Sequence, residues 1–206
     1  MMFTAKQCRL PSVTRLLLWL TICLSGCTQR IGGVLEYQPI ADPPKMNDQT
    51  SPPVAVEVTD KRPTQVILNQ DSGIPGINTE YVPRNDVAGL LAIAFTAELK
   101  NRGWKIGVGG NTLSIALSFF VANQIPRFLT PETTSSVGIN VMVTGSHGAL
   151  SYIRFIEGQS GPWQAEHSST ESIWFRHTIR EAIQAAIQDA VAKVFADPAF
   201  IDALKR

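Results

Sequence analysis

Only one of the chain's three cysteines, Cys27, lies beyond residue 26. Cys8 and Cys23 both fall in the N-terminal stretch before it. Whatever folds after Cys27 therefore has no second thiol for an internal disulfide, no thiolate cluster for a metal and no free thiol nucleophile. It must be held together by packing alone. The means are present: 44% of the 206 residues are hydrophobic and 17% charged, a balance that supports one ordinary domain with a real core.

The stretch before Cys27 has the three parts of an export signal. Lys6, Arg9 and Arg15 form a positive start, residues 16–24 are apolar, and Leu24-Ser25-Gly26-Cys27 follows. The apolar run is about half the roughly 20 residues that a membrane-spanning helix needs. The last four residues match the lipobox of bacterial lipoproteins. Small residues at 25 and 26 let a peptidase reach the scissile bond, and the thiol at 27 accepts a diacylglyceryl group as a thioether. Residues 1–26 are thus expected to be removed and Cys27 to hold the chain to a membrane through acyl chains. Burial is worth about 0.8 kcal/mol per CH₂, so two or three chains anchor stably where one would not. Thr28 stands where an Asp would favour retention in the inner membrane. The expected location is the outer membrane, facing the periplasm. Three of the 18 Lys and Arg and none of the 17 Asp and Glu lie before Cys27, so a formal charge of +1 becomes −2 after cleavage. Such a domain lacks the basic footprint of a nucleic-acid binder.

Beyond the anchor, residues 27–52 contain Pro39, Pro43, Pro44 and Pro52 and read as a tether, leaving residues 53–206 as a single domain. Within it, residues 54–59 alternate as a half-buried strand, Asp60-Lys61-Arg62-Pro63 turns, and residues 64–68 suggest a second strand. Residues 69–84 read as loop. Val87, Leu90, Leu91, Ala94, Phe95 and Leu99 recur at helical spacing, with Asn85 or Asp86 as cap, Glu98 and Arg102 as an i,i+4 pair and Gly103 at the C-terminal end. Residues 104–108 and 113–119 suggest a hairpin, the second strand placing Leu113, Ile115, Leu117 and Phe119 on one face. Residues 123–136 read as loop. Strands at 137–143, 150–156 and 163–169 follow, the last two separated by a turn at 158–162. A helix starting at 173–178 runs to 196 with Ile179, Ile183, Ala186, Ile187, Ala190, Val191 and Val194 as its apolar stripe, and Asp197-Pro198 opens a terminal turn. The fold class is α+β: a mostly antiparallel sheet of about five to seven strands, with two amphipathic helices on one face.

Several of these features together resemble the YajG-type family of Gram-negative envelope lipoproteins. They are the lipobox at 24–27, the strand running into Asp60-Lys61-Arg62, the helix end Glu98-Leu99-Lys100-Asn101-Arg102-Gly103-Trp104, and the long helix closing with Asp197-Pro198 and Phe200-Ile201. The resemblance implies an envelope location and a non-enzymatic role, and transfers no binding residue beyond Cys27.

The chain offers little for catalysis. His147, His167 and His177 lack metal-ligand spacing. Gly145-Ser146-His147-Gly148 and Gly158-Gln159-Ser160-Gly161 are not nucleophile elbows. Gly107–Gly110 is followed by a strand and so presents no helix N-terminus to phosphate. Glu157, Glu166 and Glu171 read as scattered surface acids, and Trp163, Trp174 and Phe175 as core or groove. No catalytic residue, metal or cofactor is expected. The turn Asp60, Lys61, Arg62 is the candidate partner-binding site, because a strand end holds charges rigidly while leaving them wet. On that reading, Lys61 and Arg62 are exposed charges whose loss leaves stability unchanged. The expected function is a non-catalytic binding module for an envelope protein or glycan. The alternatives are an accessory subunit of an envelope transport or assembly complex, and an anchored hydrolase.

Overall fold

The computed structural model describes residues 27–45, 51–71, 77–125, 132–164 and 171–206. The elements run β1 (Cys27–Ile31), β2 (Val54–Asp60), β3 (Leu68–Asp71), β4 (Ile77–Tyr81), α1 (Val87–Asn101), β5 (Asn111–Ile125), β6 (Glu132–Thr144), β7 (Leu150–Gln159), β8 (Trp163–Gln164), α2 (Glu171–Phe195) and α3 (Pro198–Lys205). The class is α+β, as expected, but the strands form two sheets rather than one. The larger has the order β2-β5-β6-β7, with β8 also on β6, and the smaller has the order β1-β4-β3.

Neither sheet is purely antiparallel. β2 pairs with β5 in parallel, and so does β1 with β4. For β2 and β5 the reason is the connection: α1 lies between them in sequence, and a crossover helix returns the chain to the end from which it left. The hairpin expected of residues 104–108 with β5 does not form. Ile106 instead makes a single parallel bridge to Val54, with Val54 N donating to Lys105 O (2.8 Å) and Gly107 N to Val54 O (3.1 Å).

One face of the large sheet carries the core. Val56, Leu113 and Val143 sit side by side, as do Val58, Ile115 and Val141, and Leu117 and Ile139 continue the layer. The helices lie over this face. Phe95 of α1 meets Phe195 of α2 at 6.0 Å between ring centroids, and Phe200 of α3 meets Phe195 edge-on at 5.4 Å. Asp86 caps α1, Gly103 takes φ 94° just past its end, and Asp197 caps α3 with Pro198 in its first turn.

Phe119 departs from the expected alternation. The β5–β6 register slips between Leu117 and Phe119, so the phase changes there. Phe120 and Ala122 take the buried face, while Phe119 crosses to the open face and packs against Phe155 with the rings tilted by 41°. Gly138 makes room for it, since a Cβ there would lie 2.2 Å from the Phe119 ring.

Other boundaries move as well. β3 begins where the strand at 64–68 was expected to end, and β3 and β4 occupy part of the expected loop 69–84. The loop expected at 123–136 is shorter, with β5 reaching Ile125 and β6 starting at Glu132. The turn expected at 158–162 starts later, because Gly158 lies inside β7.

The expected tether is the largest correction. β1 begins at Cys27, and residues 31–45 pack on the domain as a strap. Leu35 is buried, and its backbone N–H and C=O are both bound by the Asn85 side-chain amide at 2.9 and 3.0 Å. Tyr37 Oη and Ile40 N each donate to Glu98 at 2.8 Å. Gln184 Nε2 holds Glu36 O at 2.8 Å. The folded unit therefore starts well before residue 53.

Candidate ligand cleft at the end of β2

β2 ends at Asp60, and the chain turns there with Lys61 N bonded to Leu117 O at 2.8 Å. Arg62 then folds back on Asp60. Its backbone N–H and Nε reach Oδ1 at 3.0 and 2.9 Å, and Nη2 reaches Oδ2 at 2.7 Å. This fork-on-fork geometry is the strong form of a charge-assisted bond. The hydrogen bonds from Arg62 hold the Asp60 carboxyl below its ordinary value, against a smaller opposing effect of burial. The Arg62 side chain is only 4% exposed, so it is not the wet surface charge that the sequence suggested. Its remaining nitrogen, Nη1, is buried and has no acceptor among the described residues.

Across from this turn lies the start of α1. Asp86 accepts from Ala88 N and Gly89 N, each at 3.0 Å, which commits both of its oxygens. Arg84 is exposed. Between the two sides is a cleft of about 350 Å³, lined by Asp60, Arg62 and Gln65 on one wall and residues 83–87 on the other. Its carboxylates and the Asn85 amide are engaged: Asp60 on Arg62, Asp86 on the helix, Asn85 on the strap. The unused charged groups are donors, Arg62 Nη1 and the Arg84 guanidinium, beside the neutral Gln65 amide. The positive end of α1 adds to this. The arrangement suits an acceptor-bearing, negatively charged group and offers no uncommitted carboxylate as a general base.

Of the residues singled out in the sequence, the structure brings Asp60 and Arg62 together and leaves Lys61 exposed beside them. Cys27 is the first residue of β1. His147 is exposed in the β6–β7 turn. His167 and Glu166 lie outside the described residues, as do the leader 1–26 and the side chains of Glu171, Trp174, Phe175 and His177. Glu157 accepts from Gln159 Nε2 at 3.0 Å, and Trp163 is 38% exposed. Gly109 takes φ 86° in a turn leading into β5, consistent with its reading as a turn glycine. Among the described residues, no three His, Cys, Asp or Glu side chains gather as a metal site. Sequence reasoning missed the second wall of the cleft. Arg84 and Asp86 were legible only as a loop end and a helix cap, and nothing local ties them to Asp60.

A second polar cluster is internal. Glu98 is fully buried in α1 and pairs with Arg102 one turn on, while the Arg102 guanidinium lies 4.3 Å from the Phe195 ring centroid. With Tyr37 and Ile40 donating to it, Glu98 clasps the strap. Burial first, and then the bond to Glu98, push the Tyr37 hydroxyl's pKa far above its usual range.

A family model described as "Uncharacterized lipoprotein" (Lipoprotein_16) matches residues 39–205. The chain belongs to this lipoprotein family. The match begins within the strap and takes in the large sheet, β3, β4 and the helices, and it agrees with the envelope-lipoprotein resemblance carried by the lipobox and the helix ends. No curated protein matches. Among solved structures, the chain is similar to a minor lipoprotein from Acinetobacter baumannii, at 9% identity over 71% of this chain and 94% of that one, TM-score 0.39. It is also similar to a putative neuraminyllactose-binding hemagglutinin homolog from Helicobacter pylori, at 9% identity over 82% and 97%, TM-score 0.41. A third is a Neisseria meningitidis lipoprotein, at 12% identity over 60% and 90%, TM-score 0.25.

Proposed function

We propose that this lipoprotein is a non-catalytic binding module. It is held to the periplasmic face of the outer membrane by acyl chains on Cys27, and its cleft takes a carboxylate borne by an envelope protein or glycan. The observation that carries the reading is the buried Arg62 guanidinium, locked on Asp60 by Nε and Nη2 with Nη1 left over beside the cleft. A buried charged donor without an acceptor is costly, and a carboxylate that relieves it gains affinity accordingly. The test is an NMR titration of the protein from Thr28 onward, with a short peptide ending in a free carboxylate and with its C-terminal amide. Shifts clustered at residues 60–65 and 83–87 are expected with the acid only, and they should fade in Arg84→Ala and with added salt. Equal shifts with the amide, or shifts centred on His147, would place the site elsewhere.

The accessory-subunit reading is favoured by a different feature, the open face of the large sheet. Phe119 and Phe155 pack there with ring centroids 6.2 Å apart, and Ile153 is 67% exposed. An apolar strip of this kind suits a protein surface. Stoichiometric co-purification of a membrane complex in mild detergent, lost on Ile153→Asp, would support this role over the cleft.

A further inference from the structure

The anchoring residue is also the first residue of a strand. β1 pairs with β4 in parallel along its whole length, from Cys27 opposite Ile77 to Ile31 opposite Tyr81. The attachment continues without a break. Val82 N donates to Ile31 O (2.9 Å), Arg84 N to Gly33 O (3.1 Å), and the Asn85 amide then grips Leu35. A Cβ on Gly32 would lie 2.1 Å from Val82 O, so the two segments also run in close contact there. From Cys27 onward the chain has no slack between anchor and domain.

We infer that the Cys27 end of the three-stranded sheet rests directly on the lipid headgroups, so that the domain is held in one orientation to the bilayer. This inference builds on the lipidation of Cys27 proposed above. A flexible linker of some 25 residues would let the domain wander by about 28 Å, taking 5–6 Å per root residue. A strand rises only about 3.3 Å per residue, which keeps the Ile31–Tyr81 pair within about 13 Å of the anchor. Because β1 and β4 are parallel, both run away from the membrane. The segment after β4 leads straight to the cleft wall at 83–87. The small sheet is then a spacer that sets the height of the cleft over the bilayer.

Among the described residues, this end of the sheet offers no cluster of cations to the headgroups. Arg30 is neutralised by Glu80, with Nε to Oε2 at 2.9 Å. Thr28, Gln29 and Asn78 are exposed and uncharged. The partner surface is therefore a lipid surface met through the anchor and the strand pairing, not through a polybasic patch, and its orientation should not depend on anionic lipid.

The experiment uses the processed lipoprotein in nanodiscs, one set of phosphatidylethanolamine with phosphatidylglycerol and one of phosphatidylcholine alone. The thioether consumes the Cys27 thiol, so a single introduced cysteine takes the spin label. Labels at Asn78→Cys and Arg84→Cys are compared for relaxation by a nickel chelate on the headgroups. The expected result is severalfold stronger relaxation at 78 than at 84, the same in both lipids. Ten Gly and Ser residues inserted between Cys27 and Thr28 should bring the ratio close to one. Equal relaxation at the two positions without the insertion would overturn the inference, and so would an orientation seen only on anionic discs. A protein that fails to enter nanodiscs and lacks the acyl mass would overturn the lipidation itself, and this inference with it.

Discussion

At the scale of single residues, Arg62 shows how burial changes the meaning of a charge. Exposed, it would be nearly dispensable for folding, as Lys61 is expected to be. Buried on Asp60, it is part of the structure. Arg62→Ala should lower stability by about 1–3 kcal/mol, as befits the loss of several hydrogen bonds to a charged group, whereas Lys61→Ala should stay within about 0.5 kcal/mol. Urea denaturation of both variants at pH 7 checks this. The pH dependence follows in sign. The folded-state pKa of Asp60 is depressed below its ordinary 3.8, so the unfolded chain takes up the proton first. The stabilisation is present in full above that value and is lost as pH falls through the folded pKa. The gap in urea midpoint between wild type and Asp60→Asn should be widest near neutrality and shrink below about pH 4. A gap that grows in acid would contradict the pairing.

At the scale of elements, the contact between β7 and α2 depends on a glycine that the sequence disguised. Gly158 looks like a turn residue because Ser160, Gly161 and Pro162 follow it. In the structure it lies within β7, where a Cβ would stand 2.2 Å from Ala186 O and 2.5 Å from Ala190 N of α2. Both obstacles are backbone and cannot rotate away. Gly158→Ala should therefore cost about 1–3 kcal/mol or more by overpacking, and the same substitution at exposed Gly161, which has open space, should cost little. Thermal melts of the two variants decide the matter. The stripe of α2 was legible outright: Ile183 and Ile187 are 0% and 1% exposed, and Ile187→Ala should cost about 2–5 kcal/mol in the same assay. Period-3.6 and period-2 patterns report burial on one face, so α1, α2 and most of β2, β5, β6 and β7 could be read from them. β4, with the sequence Ile-Asn-Thr-Glu-Tyr, could not, because it is polar and held by neighbours on both sides rather than by an apolar face. The bulge at Leu117/Phe119 was hidden for a related reason. Slipping by one residue keeps the local alternation while exchanging the faces.

At the scale of the whole molecule, the question is where the folded unit begins. Prolines at 39, 43, 44 and 52 suit a loose linker. They suit equally an extended strap that takes its hydrogen bonds from side chains instead of from a strand ladder, and composition does not separate the two. Here the bonds come from Asn85, Glu98 and Gln184, residues far away in sequence. A protein starting at residue 53 would lose the burial of Leu35, worth about 1.5–3 kcal/mol. It would also strip the Tyr37 and Ile40 donors from Glu98, a carboxylate with 0% exposure that would keep Arg102 as its partner. Hydrogen bonds to a charged group contribute about 1.5–3 kcal/mol each, so the combined loss should exceed roughly 3 kcal/mol, a large share of the roughly 5–15 kcal/mol that holds an ordinary domain. Urea unfolding of proteins covering residues 28–206 and 53–206 should show that gap. Glu98→Gln in the longer protein should itself lower the urea midpoint, since the amide can still accept from Tyr37 or Ile40 but no longer pairs as an ion with buried Arg102. If the two lengths unfold at the same urea concentration, the strap contributes nothing to folding, and residues 27–52 behave as the tether that their composition suggests.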